Sequence, residues 1–124
     1  MEPTYYFEIS PDYYRYGMGF YDMPRDTMDK IRKMIVKGDE DFTDMYSTYA
    51  SQNIFTLEGQ MYKRSLNNEI PEEFKSWYQR KEIYFVCNKS NDSLLFSSEL
   101  IVKLVEDFKT IAPLYDFFIK LKDR

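Results

Sequence analysis

Four cations form two basic pairs that border apolar or aromatic segments of the chain. The first pair is Lys63 and Arg64, and the second is Arg80 and Lys81. Arginine offers a planar fork of donors that fits a carboxylate or a phosphate, and lysine adds a point charge. If the segment around the first pair lies beside the strand that we expect to begin at Lys81, the four charges converge into an anion site. The alternative interpretation is that all four are ordinary solvated side chains.

Further residues extend this candidate site. Arg15 and Tyr62 are expected to line the same rim, with Tyr13 and Tyr16 nearby. Glu8 is the most noteworthy carboxylate because it lies in a predicted strand beside a hairpin that carries glycines. The candidate binding residues are therefore Glu8, Arg15, Tyr62, Lys63, Arg64, Arg80 and Lys81.

The composition excludes several classes of catalyst. The 124 residues include no histidine and one cysteine, which removes imidazole bases, Ser-His-Asp and Cys-His pairs and His-ligated zinc. Cys87 lies in an apolar segment, where a structural role is favoured over nucleophilic chemistry. The acidic runs 39–41 and 72–73 fall at predicted helix starts, where backbone N–H groups stabilise negative charge. We therefore expect neither a metal nor a cofactor, and we assign no catalytic residue.

Net charge and hydropathy disfavour two classes of partner, nucleic acids and membranes. The formal net charge of −4 disfavours nucleic acid, because binding to phosphate backbones requires clustered Lys and Arg. No apolar run approaches the roughly 20 residues that span a bilayer, so we expect no membrane partner. Residues 1–4 lack the basic and apolar regions of a signal peptide. These observations predict a cytoplasmic protein.

Period-two alternation predicts a hairpin at the start of the chain. Residues 5–10 and 13–21 alternate in polarity, and a Pro-Asp dipeptide separates them. Gly17 and Gly19 leave two successive positions on one face of the second strand without side chains, which permits close approach by a helix, another backbone or a ligand. Of these we favour the packing of a helix.

Helical periodicity predicts about five helices, near 24–37, 39–49, from 71, 97–108 and 114–121. The fourth helix is expected to bury a stripe of apolar side chains, and Pro113 is expected to separate it from the fifth. That stripe consists of Leu100, Ile101, Leu104, Val105 and Phe108.

A strand near 82–88 is apolar on both faces and should lie inside the sheet. Residues 53–57 and 61–64 are candidates for short strands. The order of elements predicts an α+β fold, in which a small, mainly antiparallel sheet carries helices on one side. No composition shift divides residues 1–124, so we expect a single domain.

Several segments together resemble a family of conserved hypothetical bacterial proteins, domain of unknown function family 2461. Their order and spacing agree with the family over nearly the whole chain. The segments are Tyr5 to Ile9 with Pro11, Gly17 and Gly19, Met23-Pro24 leading to Ile31-Arg32, Tyr62 to Arg64, Trp77 to Lys81, Ile83-Tyr84, the Ser97 cap, the Phe108 helix, and Ala112 to Phe117.

The resemblance implies that family members are roughly twice as long as this chain, so the chain is expected to correspond to their C-terminal half. It also reveals a departure, because the family's Lys-Arg pair is usually followed by Pro and Lys, whereas Ser65 and Leu66 follow here. The family has no assigned activity, so the resemblance implies no reaction.

These observations favour a non-catalytic binding or interaction domain for an anionic small molecule or partner. A second hypothesis is part of an enzyme that acts on phosphate-containing or nucleic-acid substrates, with its other catalytic residues in an N-terminal half. A third is an interaction subunit in which an uncovered sheet face or strand edge binds a second copy or a companion N-terminal segment.

Overall fold

A computed structural model describes residues 2–124; Met1, one of the residues 1–4 that we compared with a signal peptide, lies outside the described residues. Within this range the chain forms a four-stranded antiparallel sheet and four α-helices, which confirms the α+β prediction. The strands are β1 Thr4–Ile9, β2 Tyr13–Gly19, β3 Thr56–Glu58 and β4 Tyr84–Ser90. The helices are α1 Arg25–Lys37, α2 Glu40–Ala50, α3 Lys75–Tyr78 and α4 Leu100–Leu121, with 3₁₀ turns at Glu72–Phe74 and Ser93–Phe96.

The sheet order is β1-β2-β4-β3, so the last strand in sequence lies inside the sheet. β1 and β2 form the predicted hairpin, in which Tyr6 lies opposite Gly17 and Glu8 opposite Arg15. β4 pairs with β2 along its whole length and with β3 at its first three residues. This position explains why the first half of β4 is apolar on both faces.

The helices pack on one face of the sheet, as the sequence predicts. That face carries Tyr16 and Phe85, whose rings contact Phe108 and Phe118 of α4. Strand alternation places Tyr6, Glu8, Arg15, Tyr84 and Val86 on the other face, which we call the open face. Among residues 2–124, the groove on the open face is lined by strand residues and by Phe20 and Tyr21.

Local signals explain the first two helices. α1 buries Met28, Ile31, Met34 and Ile35 and ends at Gly38, whose φ of 66° is the left-handed conformation that glycine adopts without strain. In α2 the Asp39 side chain accepts a hydrogen bond from the backbone N–H of Asp41, so this part of the acidic run caps the helix.

The predicted fourth and fifth helices form one helix, α4, and the expected break at Pro113 is wrong. Proline removes one backbone hydrogen bond from a helix interior. Burial of Ile111, Leu114, Phe117 and Phe118 holds the two sides of this position in one continuous element.

The expected burial of the fourth helix is also wrong in part. Ile101 and Val105 are 72% and 48% exposed, whereas Asp107 is only 2% exposed. Residue 107 lies four positions before the buried Ile111 and therefore on the same helix face as 111, 114 and 118. The line of α4 that faces the sheet thus contains a carboxylate.

The prediction of a helix beside the two glycines is wrong as well. A methyl group at Gly17 would overlap the carbonyl oxygen of Phe85 and lie 2.9 Å from the hydroxyl of Tyr6. A methyl group at Gly19 would lie 2.6 Å from Cβ of Tyr84. The missing side chains admit the neighbouring strand and two tyrosines of the open face.

The irregular middle of the chain contains less strand than expected. The predicted strand 53–57 is reduced to β3 and shifted toward residue 58, and segment 61–64 contributes only one bridge, between Met61 and Arg80. The helix predicted from Pro71 begins as a 3₁₀ turn and continues as the four-residue α3.

Replacing Gly17 with alanine should destabilise the fold, because the new methyl group forces β2 away from Phe85 of β4. Overpacking of this kind costs about 1–3 kcal/mol, measurable as a lower midpoint of urea unfolding. Gly38→Asn is the matched control, since its Cβ meets open space and asparagine tolerates the left-handed conformation. An alanine variant as stable as the parent protein would contradict the assigned contact.

Candidate functional site

Backbone pairing brings the two predicted basic pairs onto neighbouring segments. Met61 and Arg80 form an antiparallel bridge. On either side of it, the N–H of Tyr62 donates to the Gln79 carbonyl at 2.9 Å, and the N–H of Lys81 donates to the Gln60 carbonyl at 2.7 Å. Segment 60–62 is therefore hydrogen-bonded to segment 79–81, and Lys63 and Arg64 directly follow segment 60–62.

The side chain of Gln79 holds the loop that carries the first basic pair. Its Nε2 donates to the carbonyl of Tyr62 at 2.9 Å and to the carbonyl of Arg64. Its Oε1 accepts from the N–H of Leu66 at 3.1 Å. One amide thus fixes the backbone on both sides of Lys63, so the loop is positioned without regular secondary structure.

Tyr62 lies between cations. The Nζ of Lys81 is 5.2 Å from the centre of its ring, and the guanidinium carbon of Arg32 is 5.6 Å from it. Both distances allow cation–π attraction. Arg32 is itself fixed, because it donates to the carbonyls of Tyr78 and Arg80 at 3.0 and 2.6 Å.

Arg80 has an internal structural role. Its Nη1 donates to the carbonyl of Gly59 at 2.6 Å, and its Nε donates to the carbonyl of Ser76 at 3.0 Å. These bonds connect the end of β3 with α3 and use part of the donor fork.

The remaining cations of the two pairs are accessible to solvent. Lys63, Arg64 and Lys81 are exposed, and none of the ion pairs among residues 2–124 includes them. We call Tyr62, Lys63, Arg64 and Lys81 the basic surface. Tyr62 and Lys63 also line a cavity of about 400 Å³ beside the 3₁₀ turn that precedes α3.

The other two predicted binding residues form a pair on the open face. The Nε of Arg15 donates to the carboxylate of Glu8, directly opposite on β1, at 2.6 Å. The hydrogen bond to Glu8 is the main cause that raises the pKa of the Arg15 guanidinium. Both line a groove of about 500 Å³ that also contacts Tyr6 and Tyr84. Tyr62 and Lys63 of the basic surface line a different cavity, so the seven predicted residues fall into two groups.

Tyr6 forms part of the wall of this groove. Its hydroxyl donates to the carbonyl of Phe85 at 3.4 Å across Gly17. Burial is the largest cause that raises its pKa to about 12, and the charge of Arg15 opposes this shift. The groove is therefore lined by tyrosine rings beside the ion pair of Glu8 and Arg15.

Sequence reasoning missed a buried polar network between β2 and α4. The hydroxyl of Tyr16 donates to Oδ2 of Asp107 at 2.5 Å, and the Nζ of Lys103 donates to Oδ1 at 2.9 Å. Burial, followed by the bond to Asp107, raises the pKa of Tyr16. The same carboxylate raises the pKa of Lys103. The detectable signal was one aspartate in phase with the apolar residues of α4.

Together these observations define a class of protein: a small α+β domain with a one-sided sheet and a surface of exposed cations on a hydrogen-bonded loop. The chain belongs to the conserved hypothetical protein family DUF2461, whose family model matches residues 1–117. This match confirms the resemblance that the sequence motifs indicated. Neither the curated proteins nor the solved structures contain a match to the chain.

The described residues hold neither a metal-ligand cluster nor a helix that could cross a membrane. No group of three or more Cys, Asp or Glu side chains within 2–124 is arranged to hold a metal ion. None of the helices in this range combines the length and the apolar character that crossing a bilayer requires.

Removing the Tyr16 hydroxyl should destabilise the fold in a pH-dependent way. At pH 7, Tyr16→Phe leaves the buried Asp107 carboxylate one donor short, which costs about 1–3 kcal/mol. Above pH 10, the unfolded phenol ionises while the raised pKa keeps the folded phenol protonated. The parent protein therefore loses stability as pH rises, and the difference between it and Tyr16→Phe shrinks by up to about 1.4 kcal/mol per pH unit.

Urea unfolding at pH 7 and at pH 10–11 measures this difference. Tyr13→Phe, at an exposed position of the same strand, is the control and should have little effect. A Tyr16→Phe difference that stays constant across this pH range would refute the assigned ionisation.

Proposed function

We propose that this protein is a non-catalytic binding domain whose basic surface recognises an anionic small molecule or an anionic group of a partner. Two observations carry the proposal. Lys63, Arg64 and Lys81 lack ion-pair partners within residues 2–124. The side chain of Gln79 holds the backbone of the loop that carries the first two of these cations. In a chain of net charge −4 with 21 acidic residues, three cations without an ion pair in the described part of the chain remain available to an anionic ligand.

Preorganisation supports this role. Association is penalised when side chains and loops must be ordered on binding. The backbone pairing around Met61 and Arg80 and the three hydrogen bonds of the Gln79 amide order this loop before a ligand arrives. Binding then needs to immobilise only the side chains of the three cations.

Donor geometry indicates the class of ligand. Arg64 offers a planar fork suited to two oxygens of one group, whereas Lys63 and Lys81 contribute point charges. Tyr62 adds an exposed aromatic ring beside them. A compact oxyanion with several acceptors, such as a phosphate, a pyrophosphate or a dicarboxylate, fits this combination.

Calorimetric titration at low salt with phosphate, pyrophosphate and succinate tests the proposal. The double variant Lys63→Ala, Arg64→Ala should weaken binding of the preferred anion about 10- to 100-fold, because a hydrogen bond to a charged group contributes roughly 1.5–3 kcal/mol. Added salt should weaken the remaining affinity further.

The matched control is Lys33→Ala, Lys37→Ala, which removes from α1 two exposed cations that take part in no ion pair within residues 2–124 and changes the net charge equally. It should alter the affinity less than twofold. If the two double variants weaken binding equally, the anion responds only to net charge and the basic surface is not a site. If the parent protein binds none of the three anions, the proposal fails.

A further inference from the structure

β1 is an edge strand, and half of its backbone groups point away from the sheet. Ser10 donates its N–H to the carbonyl of Tyr13 at 2.7 Å where the hairpin closes. Hydrogen-bonded and non-hydrogen-bonded pairs alternate along an antiparallel ladder. Thr4, Tyr6 and Glu8 therefore bond to β2, and a second set of residues directs its N–H and C=O groups outward. This second set is Tyr5, Phe7 and Ile9.

β1 itself lacks several of the features that usually prevent strand pairing. Natural edge strands are protected by prolines, lysines, bulges or a covering loop. β1 pairs with β2 in unbroken register over six residues of the sequence TYYFEI, which contains neither proline nor lysine. Its single charge, Glu8, is neutralised by Arg15. Ile9 is 63% exposed although it shares the face of Tyr5 and Phe7 that packs on the helices.

An apolar stripe of α4 runs beside this edge. Positions 101, 105, 108, 112 and 115 lie within about 40° of one line on a helix that turns 100° per residue. Two members of the stripe, Phe108 and Tyr115, contact the ring of Tyr5 at centroid distances of 4.9 and 5.1 Å. Two others, Ile101 and Val105, are the exposed residues that the sequence predicts to be buried.

We infer that the protein forms a two-fold symmetric dimer in which the β1 strands of two copies pair antiparallel, centred on Phe7. In this register Phe7 lies opposite Phe7 of the second copy, and Tyr5 lies opposite its Ile9. Every outward N–H of either copy then donates to a carbonyl of the other. The exposed Ile9 packs on Tyr5 of the second copy, beside the apolar stripe of its α4.

The sequence around β1 fixes this register. Centring the two-fold axis on Tyr5 places Pro3 opposite Phe7, and centring it on Ile9 places Pro11 there. Proline has no N–H, so either shift loses hydrogen bonds. With Phe7 at the axis, Glu8 faces Tyr6 of the second copy and the two Glu8 carboxylates stay apart. A patch that meets itself about a two-fold axis closes the assembly at two copies.

Sedimentation velocity over a wide range of protein concentration tests the inference. The parent chain should sediment with twice the mass of one chain, and Ile9→Lys should raise the dimer dissociation constant at least tenfold. The matched control is Val36→Lys, because Val36 is an aliphatic β-branched residue that is 61% exposed on α1. It should leave the dimer unchanged. Circular dichroism establishes that both variants are folded.

Cysteine cross-linking tests the register. Phe7→Cys places two thiols at the axis, where Cα atoms of a hydrogen-bonded pair are about 5.5 Å apart and a disulfide fits. Mild oxidation should yield a covalent dimer. Ile9→Cys places the thiols about 14 Å apart along the strands and should yield none. A parent chain that sediments as a monomer at every concentration, or a dimer that Ile9→Lys leaves intact, overturns the inference.

Discussion

The antiparallel pairing of β2 with β4 is the constraint on which the rest of the structure depends. It joins seven residues near the start of the chain to seven residues more than sixty positions later. Because β4 takes the interior position, β1 and β3 become the two edges. The approach of the two backbones requires Gly17, where a side chain would overlap the Phe85 carbonyl. The same pairing sets Tyr16 beneath α4, where its hydroxyl reaches Asp107.

Elements governed by local pattern could be predicted from the sequence. The hairpin follows from alternation, β4 from an apolar run on both faces, and α1 from its stripe and Gly38. α4 could not be predicted correctly, because Pro113 is a strong local signal and only tertiary burial of Ile111 and Leu114 overrides it. Ile101 and Val105 look like core residues by spacing alone. Their exposure depends on which line of the helix faces the sheet. A hydropathy pattern does not identify that line, because the line contains the charged residue Asp107.

The candidate site shows a similar division. The adjacency of the segments around Lys63 and Lys81 follows from expecting two short extended segments to pair. The hydrogen-bond partners of each guanidinium could not be predicted from the sequence. Arg80 and Arg32 donate to backbone carbonyls that come together only in the folded chain. Gln79 carries no charge and is not among the candidate binding residues, yet its amide positions the loop. The sequence predicts Glu8 and Arg15 in the same candidate site as these cations, but strand register pairs the two with each other on the open face.

The sheet order separates the two surfaces on which the proposals rest. Along the chain, the residues of the basic surface lie between β3 and β4, which are neighbours at one side of the sheet. β1 is the edge strand at the other side. Pairing two β1 strands would continue the sheet across the two-fold axis to eight strands and carry the basic surfaces to its two outer ends. Each end would keep its own Lys63, Arg64 and Lys81, so dimerisation would leave the intrinsic affinity of each site unaltered. Its effect would be to double the number of sites, and an anionic partner with two charged groups would then gain avidity only if it spanned the full width of the joined sheet.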